Sequence, residues 1–405
     1  MKTNVARILL TAALVTGLSI PVASAASART ASAAAGMGQG PLLAWGDNSL
    51  GELGIGSMQN QYSPVAVNMP FGLRATQARS GPFSIAVNSA GQVFAWGRGE
   101  QGELGNGAFK SRQRPVRVRL PKGVKVTAAR VGFDFAVALT STGKVLTWGD
   151  GSAGELGNGH RANHDAPVWV RLPRGVRITA VSACGNCAVA LTSTGRVLAW
   201  GDNSSGQLGN GKKAGSTTPV WVALRRHTKV TAIAAGVSHL FGVTSTGALL
   251  AWGSDAAGDL GTGRPGLSRV PVPVRLPRGV KVMSASAGLL HSLALTTTGR
   301  VLAWGDNEAG QLGTGNMQSS DVPVWVHLPK AAHIVSIAAG RYHCLALTRG
   351  GKVLTWGLGG SGQLGTGTLD NHLLPVQISV RGTVIAIGAG DEAESSMAVV
   401  KKLID

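Results

Sequence analysis

The sequence has few cysteines, few aromatic residues and few acids. Only three cysteines occur in 405 residues, so disulfides do not build the fold. Aromatic residues make up 5% of the chain against 59 glycines, a balance typical of many short strands joined by tight turns. The apolar residues show no 3.6-residue periodicity, which excludes a helical solenoid. The formal net charge is +19, which either attracts acidic or polyanionic partners or serves solubility alone.

The sequence also lacks a catalytic signature. No Ser/His/Asp or Cys/His set appears at catalytic spacing, so we predict that the protein is not an enzyme. Glycine runs matching G-x-G-x-x-G at residues 97–102 and 357–362 have no helix after them and therefore offer no dinucleotide site. His239, His291 and His343 share one repeat position, where a structural imidazole bonded to a loop carbonyl is favoured over a ligand role. We expect no metal and no cofactor.

The first 25 residues have the pattern of an export signal. Lys2 and Arg7 precede an apolar run that ends in small residues suited to a signal peptidase. Residues 1–25 are therefore predicted to be a cleaved signal peptide of a secreted, extracellular or periplasmic protein with no membrane span after cleavage. An uncleaved anchor is the alternative, since a spanning helix needs about 20 apolar residues. Residues 26–40 are predicted to be a flexible linker, and residues 401–405 a short tail.

A tryptophan-glycine pair recurs through the rest of the chain at nearly constant spacing. The interval is 51 residues once and then 52 residues five times, at Trp45, Trp96, Trp148, Trp200, Trp252, Trp304 and Trp356. A period near 50 residues with several strand signals in each copy is typical of propeller blades. A tryptophan at the same place in every copy is expected to be structural, packed between sheets.

Each repeat is predicted to contain four strands, named A to D. In a representative repeat, strand A covers residues 280–288, B 291–296, C 301–304 and D 323–328. A long polar loop joins C to D. Pro323 at the start of strand D indicates that D is the outer edge of its blade, because proline cannot donate to a ladder.

The two ends of the repeat region complement each other. Residues 41–72 contain only strands C and D, whereas residues 382–400 contain only A and B. Pairing residues 42–45 with residues 397–400 would close the ring and leave no exposed half-blade. Residues 41–400 are therefore predicted to form one all-β domain, a seven-bladed β-propeller of four-stranded antiparallel blades closed by strands from both termini.

The repeat pattern G-x-x-H-S-L-A-L-T-x-x-G-x-V-L-A-W-G-x-N-x-x-G-Q-L-G-x-G is clearest at residues 288–315 and 340–367. It resembles the repeat of the regulator of chromosome condensation family, and with the export signal it suggests an exported bacterial member. The resemblance covers residues 41–400 and implies a seven-bladed β-propeller. It implies less about function, because the same repeat serves guanine-nucleotide exchange factors, ubiquitin-ligase modules and secreted bacterial inhibitors of β-lactamase.

Antiparallel connectivity places the loops on two faces. The A-to-B and C-to-D connections lie on one side, the loop face, and the B-to-C and D-to-A turns lie on the other, the basic face. Nearly all acids fall in loop-face segments, where the expected partner-binding residues are Asp150, Glu155, Asp202, Asp255, Asp306 and Tyr342. A polyanion is the expected partner of the basic face, at Lys122, Lys125, Arg174, Arg177, Arg226, Lys229, Arg278, Lys281 and Arg300. Alternatively, these bases serve only solubility.

Two smaller features remain open. Trp169, Trp221 and Trp325 lie on strand D, either exposed at the rim as interface anchors or packed over the adjacent blade. Cys184 and Cys187 form C-G-N-C, which favours a disulfide formed after export over two buried thiols. A zinc site would need a second cysteine pair.

Together these features predict a monomeric, exported, non-enzymatic scaffold that binds a protein through loops of one face. The resemblance implies two alternatives, an exchange-factor-like regulator and an inhibitor like those of β-lactamase. The uniform spacing leaves no room for the inserted wedge that exchange factors of this family use. The inhibitors bind through clustered aromatic residues, whereas the loops of this chain contain few, such as Tyr62, Phe109 and Tyr342.

Overall fold

The computed structural model describes residues 41–70, 73–264, 266–390 and 392–401. In these ranges the chain forms seven four-stranded antiparallel sheets. Within the same ranges, no helix is long and apolar enough to cross a membrane. The predicted signal peptide and linker, together with residues 402–405 of the predicted tail, lie outside the described residues.

The seven sheets are the blades of a propeller. Blade 1 consists of β1 (Leu42–Gly46), β2 (Gln61–Ala66), β27 (Val384–Gly388) and β28 (Ser395–Val400). Blades 2 to 4 are formed in chain order by β3 (Ala75–Arg79), β4 (Phe83–Asn88), β5 (Val93–Gly97), β6 (Arg112–Arg117), β7 (Val126–Val131), β8 (Phe135–Thr140), β9 (Val145–Gly149), β10 (His164–Trp169), β11 (Ile178–Cys184), β12 (Cys187–Thr192), β13 (Val197–Gly201) and β14 (Ser216–Trp221). Blades 5 to 7 are formed by β15 (Val230–Ala235), β16 (His239–Thr244), β17 (Leu249–Gly253), β18 (Ser268–Pro273), β19 (Val282–Ala287), β20 (His291–Thr296), β21 (Val301–Gly305), β22 (Ser320–Trp325), β23 (Ile334–Ala339), β24 (His343–Thr348), β25 (Val353–Gly357) and β26 (His372–Gln377).

Blade 1 joins the two ends of the chain, as predicted. Its strand order is β2-β1-β28-β27, and β1 pairs antiparallel with β28 so that Ala44 lies opposite Met397 and Trp45 opposite Ser396. The fold class is therefore confirmed, including closure of the ring by strands from both termini. Closure leaves no half-blade exposed, and the unpaired edges are those of the short outer strand and of the inner strand, which faces the centre of the ring.

The outer strand D begins earlier than the sequence predicted. In blade 6 the strand starts at Ser320, so Pro323 lies inside it rather than at its start. The register between β21 and β22 shifts between Ala303 and Gly305. A proline is tolerated there because the strand is an edge strand with an irregular ladder, where a missing N–H leaves no hydrogen bond unmade.

The seven repeated tryptophans join each blade to its neighbour. All seven are fully buried. The indole Nε1 of Trp200 in blade 4 donates a hydrogen bond to the carbonyl oxygen of Glu155 in blade 3, at 2.8 Å. Equivalent bonds of 2.8 to 2.9 Å recur around the ring, including the one from Trp45 to Gln363 across the closure. Gly157 has φ +61°, and a Cβ there would lie 2.7 Å from Nε1 of Trp200, which explains the repeated glycine after the loop leucine.

The three predicted structural histidines form a second joint between blades. His343 is fully buried, and its Nε2 lies 2.8 Å from Oγ of Ser396 in the next blade. The Ser396 hydroxyl donates in turn to the Gln363 carbonyl oxygen that also accepts from Trp45. Burial lowers the pKa of His343 to about 3, so the ring is neutral at physiological pH.

The other two histidines also reach a side chain of the next blade, and Nδ1 of His239 lies in addition 3.2 Å from Oδ2 of Asp259. His239 contacts Ser292 at 3.0 Å and His291 contacts the Cys344 sulfur at 3.1 Å. The prediction that each imidazole bonds directly to a loop carbonyl was therefore wrong. The hydroxyl or thiol intervenes because it can accept from the imidazole and donate to the carbonyl at once.

Candidate partner-binding face

The loops on the loop face are held rigidly by the next blade. The backbone N–H of Gly56 donates to the Gln113 carbonyl oxygen at 2.9 Å, and Gly107 donates to Asp165 at 2.8 Å. Each bond ties a C-to-D loop to the outer strand of the following blade. The tips of these loops therefore stand on a fixed scaffold, as recognition loops do.

Three of the predicted partner-binding carboxylates hold the loops themselves. Oδ1 of Asp202 accepts from the Ser204 N–H at 3.1 Å, and Oδ2 accepts from the Ser204 hydroxyl and from Gln207 Nε2. Burial raises the pKa of Asp202, but these hydrogen bonds outweigh burial and lower it below its ordinary value. Asp150 and Asp306 make equivalent turns, so these carboxylates are half-buried supports.

Two further predicted contact residues are removed from the surface. Glu155 is fully buried and Asp255 is 8% exposed, which contradicts the expectation that they line a binding surface. Asp255 Oδ1 accepts from the Leu260 N–H at 2.9 Å, as Asn203 does from Leu208 one blade earlier. Burial raises the pKa of Glu155 to about 8 and that of Asp255 to about 6.

Tyr342 lies beside a network that joins blades 7 and 1. It is half-buried, and the Arg341 guanidinium lies 5.5 Å from its ring centroid. Nη1 of Arg341 lies 3.2 Å from Oε1 of Glu394, whose other oxygen accepts from the Ser361 hydroxyl at 3.0 Å. Tyr342 is therefore partly accessible, near the centre of the loop face.

The tips of the C-to-D loops carry exposed apolar side chains that the sequence analysis missed. Each tip residue is the second after the last glycine of the L-G-x-G motif. In blades 1, 2, 6 and 7 this position holds Met58, Phe109, Met317 and Leu369, which are 47% to 57% exposed. In blades 3 and 4 the same position holds exposed Arg161 and Lys213. Aligning the repeats at this motif would have found the set.

The loop tips also carry positive charge, although nearly all the acids of the sequence fall on this face. Exposed bases lie among the loop-face segments, at Lys110, Arg161, Lys212, Lys213 and Arg264. Half-buried Arg98 lies 2.9 Å from Asp134. The loop face is therefore mixed rather than acidic, because most of its acids are turned inward or paired while these bases point outward.

The basic face has the predicted composition. All nine predicted bases are exposed, and no Asp or Glu lies in the described B-to-C and D-to-A turns. The predicted rim tryptophans belong to the same surface. Arg196 stacks on Trp221 and Arg300 on Trp325, each with its guanidinium carbon 3.6 Å from the ring centroid.

The rim tryptophans differ in how far they are covered. Trp221 and Trp325 are partly buried and pack against the core shared with the preceding blade. Trp169 is 43% exposed, with Nζ of Lys144 at 5.6 Å from its ring centroid. Each of the two interpretations of the rim tryptophans therefore holds for part of the set. Trp169 is open to solvent, whereas Trp221 and Trp325 lie over a neighbouring blade.

Comparison with known proteins places this architecture in a family. Residues 159–402 match the RCC1-like domain, and residues 39–87 and 90–139 match the regulator of chromosome condensation (RCC1) repeat, as do residues 124–155 in a second description of that repeat. The chain belongs to the RCC1-like family. Its seven blades correspond to the repeats by which that family is defined.

Relatives in this RCC1-like family include receptors, ligases and exchange factors. The ultraviolet-B receptor UVR8 of Arabidopsis thaliana is 33% identical over 297 residues, covering 73% of this chain and 67% of the receptor. The human E3 ubiquitin-protein ligase HERC2 is 31% identical over 338 residues, but the chain spans only 7% of that ligase. The mouse secretion-regulating guanine nucleotide exchange factor is 28% identical, covering 86% of this chain and 82% of the relative.

Solved structures show the same RCC1-like fold. Human WBSCR16 has a TM-score of 0.82 at 21% identity and covers 90% of this chain. Yeast Prp20p has a TM-score of 0.81 at 23% identity and covers 92% of this chain and 94% of its own. The published description of Prp20p concerns its binding to Gsp1p and histones. At these identities the likeness concerns the fold alone.

The cysteine pair of this RCC1-like chain lies in an A-to-B connection of the loop face. Cys184 and Cys187 are buried and joined as a disulfide that links β11 to β12. Cys344 is buried and unpaired with another cysteine. No three His, Cys, Asp or Glu side chains converge as a metal site in the described part of the chain.

Proposed function

We propose that this RCC1-like protein is an exported, non-enzymatic scaffold that binds a partner protein on the tips of its C-to-D loops. The observation that carries the proposal is the exposed apolar side chain at the same position in four successive blades. Single exposed apolar residues are common on protein surfaces. Four at equivalent positions of neighbouring loops support a recognition surface there.

The tips also indicate the chemistry of the partner. Met58, Phe109, Met317 and Leu369 occupy blades 6, 7, 1 and 2, and Arg161 and Lys213 follow in blades 3 and 4. A complementary protein would place an apolar patch against the first arc and acidic side chains against the second. Met and Phe are well suited to such anchors, because they bury large flexible or rigid apolar areas.

Two observations support the export part of the proposal. The first 25 residues have the signal pattern described above, and the Cys184–Cys187 disulfide would persist in an oxidising compartment. Fractionation of the producing cells should find the protein outside the cytosol, with an amino terminus near residue 26. A full-length chain retained in the cytosol would contradict export but would leave the binding proposal unaffected.

A capture experiment tests the binding surface. The protein, immobilised, is exposed to culture fluid, and bound proteins are identified by mass spectrometry. The test variant carries Met58→Ser, Phe109→Ser, Met317→Ser and Leu369→Ser. The matched control carries Arg174→Gln, Arg226→Gln and Arg278→Gln on the basic face. We expect a protein that is captured by the parent and the control but not by the tip variant. Equal capture by the tip variant would overturn the proposal.

The basic face supports a second candidate function, binding of a polyanion. The observation in its favour is the set of nine exposed bases with no acid in the described turns between them. Such a surface attracts polyanions over about 8 Å at physiological salt. On immobilised heparin, the parent should elute at higher salt than the variant with Arg174→Gln, Arg226→Gln and Arg278→Gln. Identical elution would remove this function and leave only solubility as the role of these bases.

Nucleotide exchange and inhibition of β-lactamase remain alternatives that the family resemblance implies. The relative named as a guanine nucleotide exchange factor supports the first. Release of a fluorescent guanine nucleotide from a small GTPase, and residual activity of a β-lactamase mixed with the protein, measure them directly. Activity in either assay that survives the four tip substitutions would assign the function to another surface.

A further inference from the structure

The inner strands of the seven blades surround a central channel with a cavity of about 430 Å³. One repeat position of these strands forms a level of the channel near the loop face. From blade 2 around the ring to blade 1, this level holds Arg79, Arg130, Ser182, Ala234, Ser286, Ala338 and Gly388. Two adjacent blades therefore supply guanidinium groups, and the other five supply only small side chains or none.

The two arginines use part of their hydrogen-bonding capacity on the walls of the channel. Nη1 of Arg79 donates to the carbonyl oxygens of Ala78 at 2.8 Å and of Ile387 at 3.3 Å. Nη1 of Arg130 donates to the carbonyl oxygen of Ala129 at 2.8 Å. Each guanidinium has five N–H donors in a planar fork. These bonds use Nη1 alone, so the other donors of two side chains that line the cavity are left for a ligand.

The charge of this pair is not balanced within the described lining. No Asp or Glu occurs among the described residues that line the channel. Burial lowers the pKa of Arg79 to about 10, and burial together with the charge of Arg79 lowers that of Arg130 to about 9. Both remain cationic at neutral pH. By contrast, Arg98 and Arg341 on the loop face each have a carboxylate within 3.2 Å.

The remaining residues at this level leave space and add hydroxyl donors. A Cβ at Gly388 would lie 2.2 Å from the carbonyl oxygen of Ala78, so glycine lets the inner strands of blades 1 and 2 approach each other closely at this level. Ser286 Oγ accepts from the Ala339 N–H at 3.0 Å, which leaves its own proton available to a ligand. The combination of a guanidinium pair, serine hydroxyls and a partly enclosed cavity fits a small oxyanion better than a neutral or cationic molecule.

We propose that the channel binds a small phosphate-bearing ligand between Arg79 and Arg130, with the serine hydroxyls completing its coordination. Planar guanidinium forks match tetrahedral oxyanions with paired hydrogen bonds. The cavity has room for a phosphorylated small molecule as well as for free phosphate. This site is separate from the loop tips and does not depend on the proposed partner.

Calorimetric titration of the full-length protein with inorganic phosphate, and with glycerol phosphate as a larger monoester, tests the site. We expect one site per chain, and a dissociation constant raised about tenfold or more by Arg79→Gln with Arg130→Gln, since each substitution removes charged hydrogen bonds. The matched control, Arg174→Gln with Arg226→Gln on the basic face, should bind like the parent. Preference for glycerol phosphate would identify an organic phosphate as the ligand, and preference for inorganic phosphate would identify the free ion.

A second variant keeps the test decisive if the arginine pair is needed for folding. Ser182→Asp introduces a carboxylate at the same level, in the blade next to Arg130. It should abolish phosphate binding and raise the melting temperature measured without phosphate, because the charge is then balanced from within. Absence of phosphate binding by the parent, or unchanged affinity in both channel variants, would overturn the proposal.

Discussion

The tryptophan contacts that join neighbouring blades are the same in every blade, whereas the tips of the loops differ from blade to blade. Every joint uses the same buried tryptophan, donating to the same loop carbonyl, in all seven blades. The tip position, twelve residues after the glycine that ends each C strand, holds methionine, phenylalanine, leucine, arginine or lysine in six blades and proline in blade 5. The joint is constant because each blade must pack in the same way on the next. The tip is free to vary because its side chain is exposed in the six blades where the structure describes it, and variation there produces a surface that differs around the ring.

The acids of the loop face also divide into structural and surface residues. Glu155 in blade 3 and Gln207 in blade 4 occupy one repeat position. Gln207 Nε2 donates to Asp202 Oδ2 at 2.9 Å, whereas the carboxyl group of Glu155 is fully buried, and burial together with the nearby charge of Asp150 raises its pKa. A position that takes either residue serves the interior, so its charge in one blade does not indicate a surface for partners.

Removing one tryptophan of the constant joint should have the largest effect. Trp200→Ala should lower the free energy of unfolding by about 3 to 5 kcal/mol, because it deletes a fully buried indole and its hydrogen bond to Glu155. Denaturant titration measures the loss. Trp169→Ala, at the half-exposed rim, is the matched control and should cost about 1 kcal/mol or less. Equal losses of unfolding free energy in the two variants would show that the repeated tryptophans do not hold the blades together.

Replacing a buried acid of the loop face by its counterpart from the next blade should stabilise the protein. Burial raises the pKa of Glu155 from 4.5 to about 8, so the native state binds this proton more tightly than the unfolded state does. The free energy of unfolding therefore falls as pH rises from about 4.5 to about 8. Glu155→Gln should remove that fall and donate to Asp150, giving about 1 to 3 kcal/mol at pH 8.

Denaturant titrations at pH 5 and pH 8 measure this difference. Glu308→Gln, on an exposed loop residue, is the control and should be neutral at both pH values. Destabilisation by Glu155→Gln at pH 8 would mean that the buried carboxylate has a favourable role that its surroundings do not reveal.

Breaking the second joint should have a smaller effect. Ser396→Ala removes the hydroxyl that lies between His343 and the Gln363 carbonyl oxygen. The buried imidazole then lacks a partner for Nε2, at a cost of about 1 to 2 kcal/mol. Ser361→Ala, a half-buried serine on the loop face, provides a comparison. If Ser396→Ala leaves the unfolding midpoint unchanged, the histidine joint adds nothing to the tryptophan joint.

Changing a tip should have the smallest effect on stability. Phe109 is 54% exposed, and Phe109→Ser should change the free energy of unfolding by no more than about 0.5 kcal/mol. The same denaturant titration measures it beside Trp200→Ala. A loss of several kcal/mol would show that the tip is part of the structural repeat and not a surface reserved for a partner.

The sequence predicted the propeller because its signals repeat. Seven tryptophans at intervals of 51 and 52 residues, and half-blades at the two ends, determine blade number and closure without any contact being known. The repeated turn sequences likewise predicted the basic face. The bases lie in short turns, so their side chains extend into solvent. Details that depend on local hydrogen bonding were less accessible, such as the position of Pro323 within β22.

The candidate site was predicted less well, for a physical reason. A carboxylate in a loop can turn outward to solvent or inward to cap its own turn, and Glu155, Asp255 and Asp202 turn inward. The repeat itself carried a signal, since Gln207 and Gln311 stand where Glu155 does. The exposed tips do not form a cluster of aromatic residues in the sequence, because Met58, Met317 and Leu369 are aliphatic and lie in different blades.

The central claim is that the constant joints build the ring and the varied tips bind the partner. The most direct test compares the parent with the variant carrying serine at positions 58, 109, 317 and 369, measuring capture of the partner from culture fluid alongside the free energy of unfolding. We expect capture to be lost while the free energy of unfolding stays within about 1 kcal/mol of that of the parent. Full capture by a stably folded variant would contradict it.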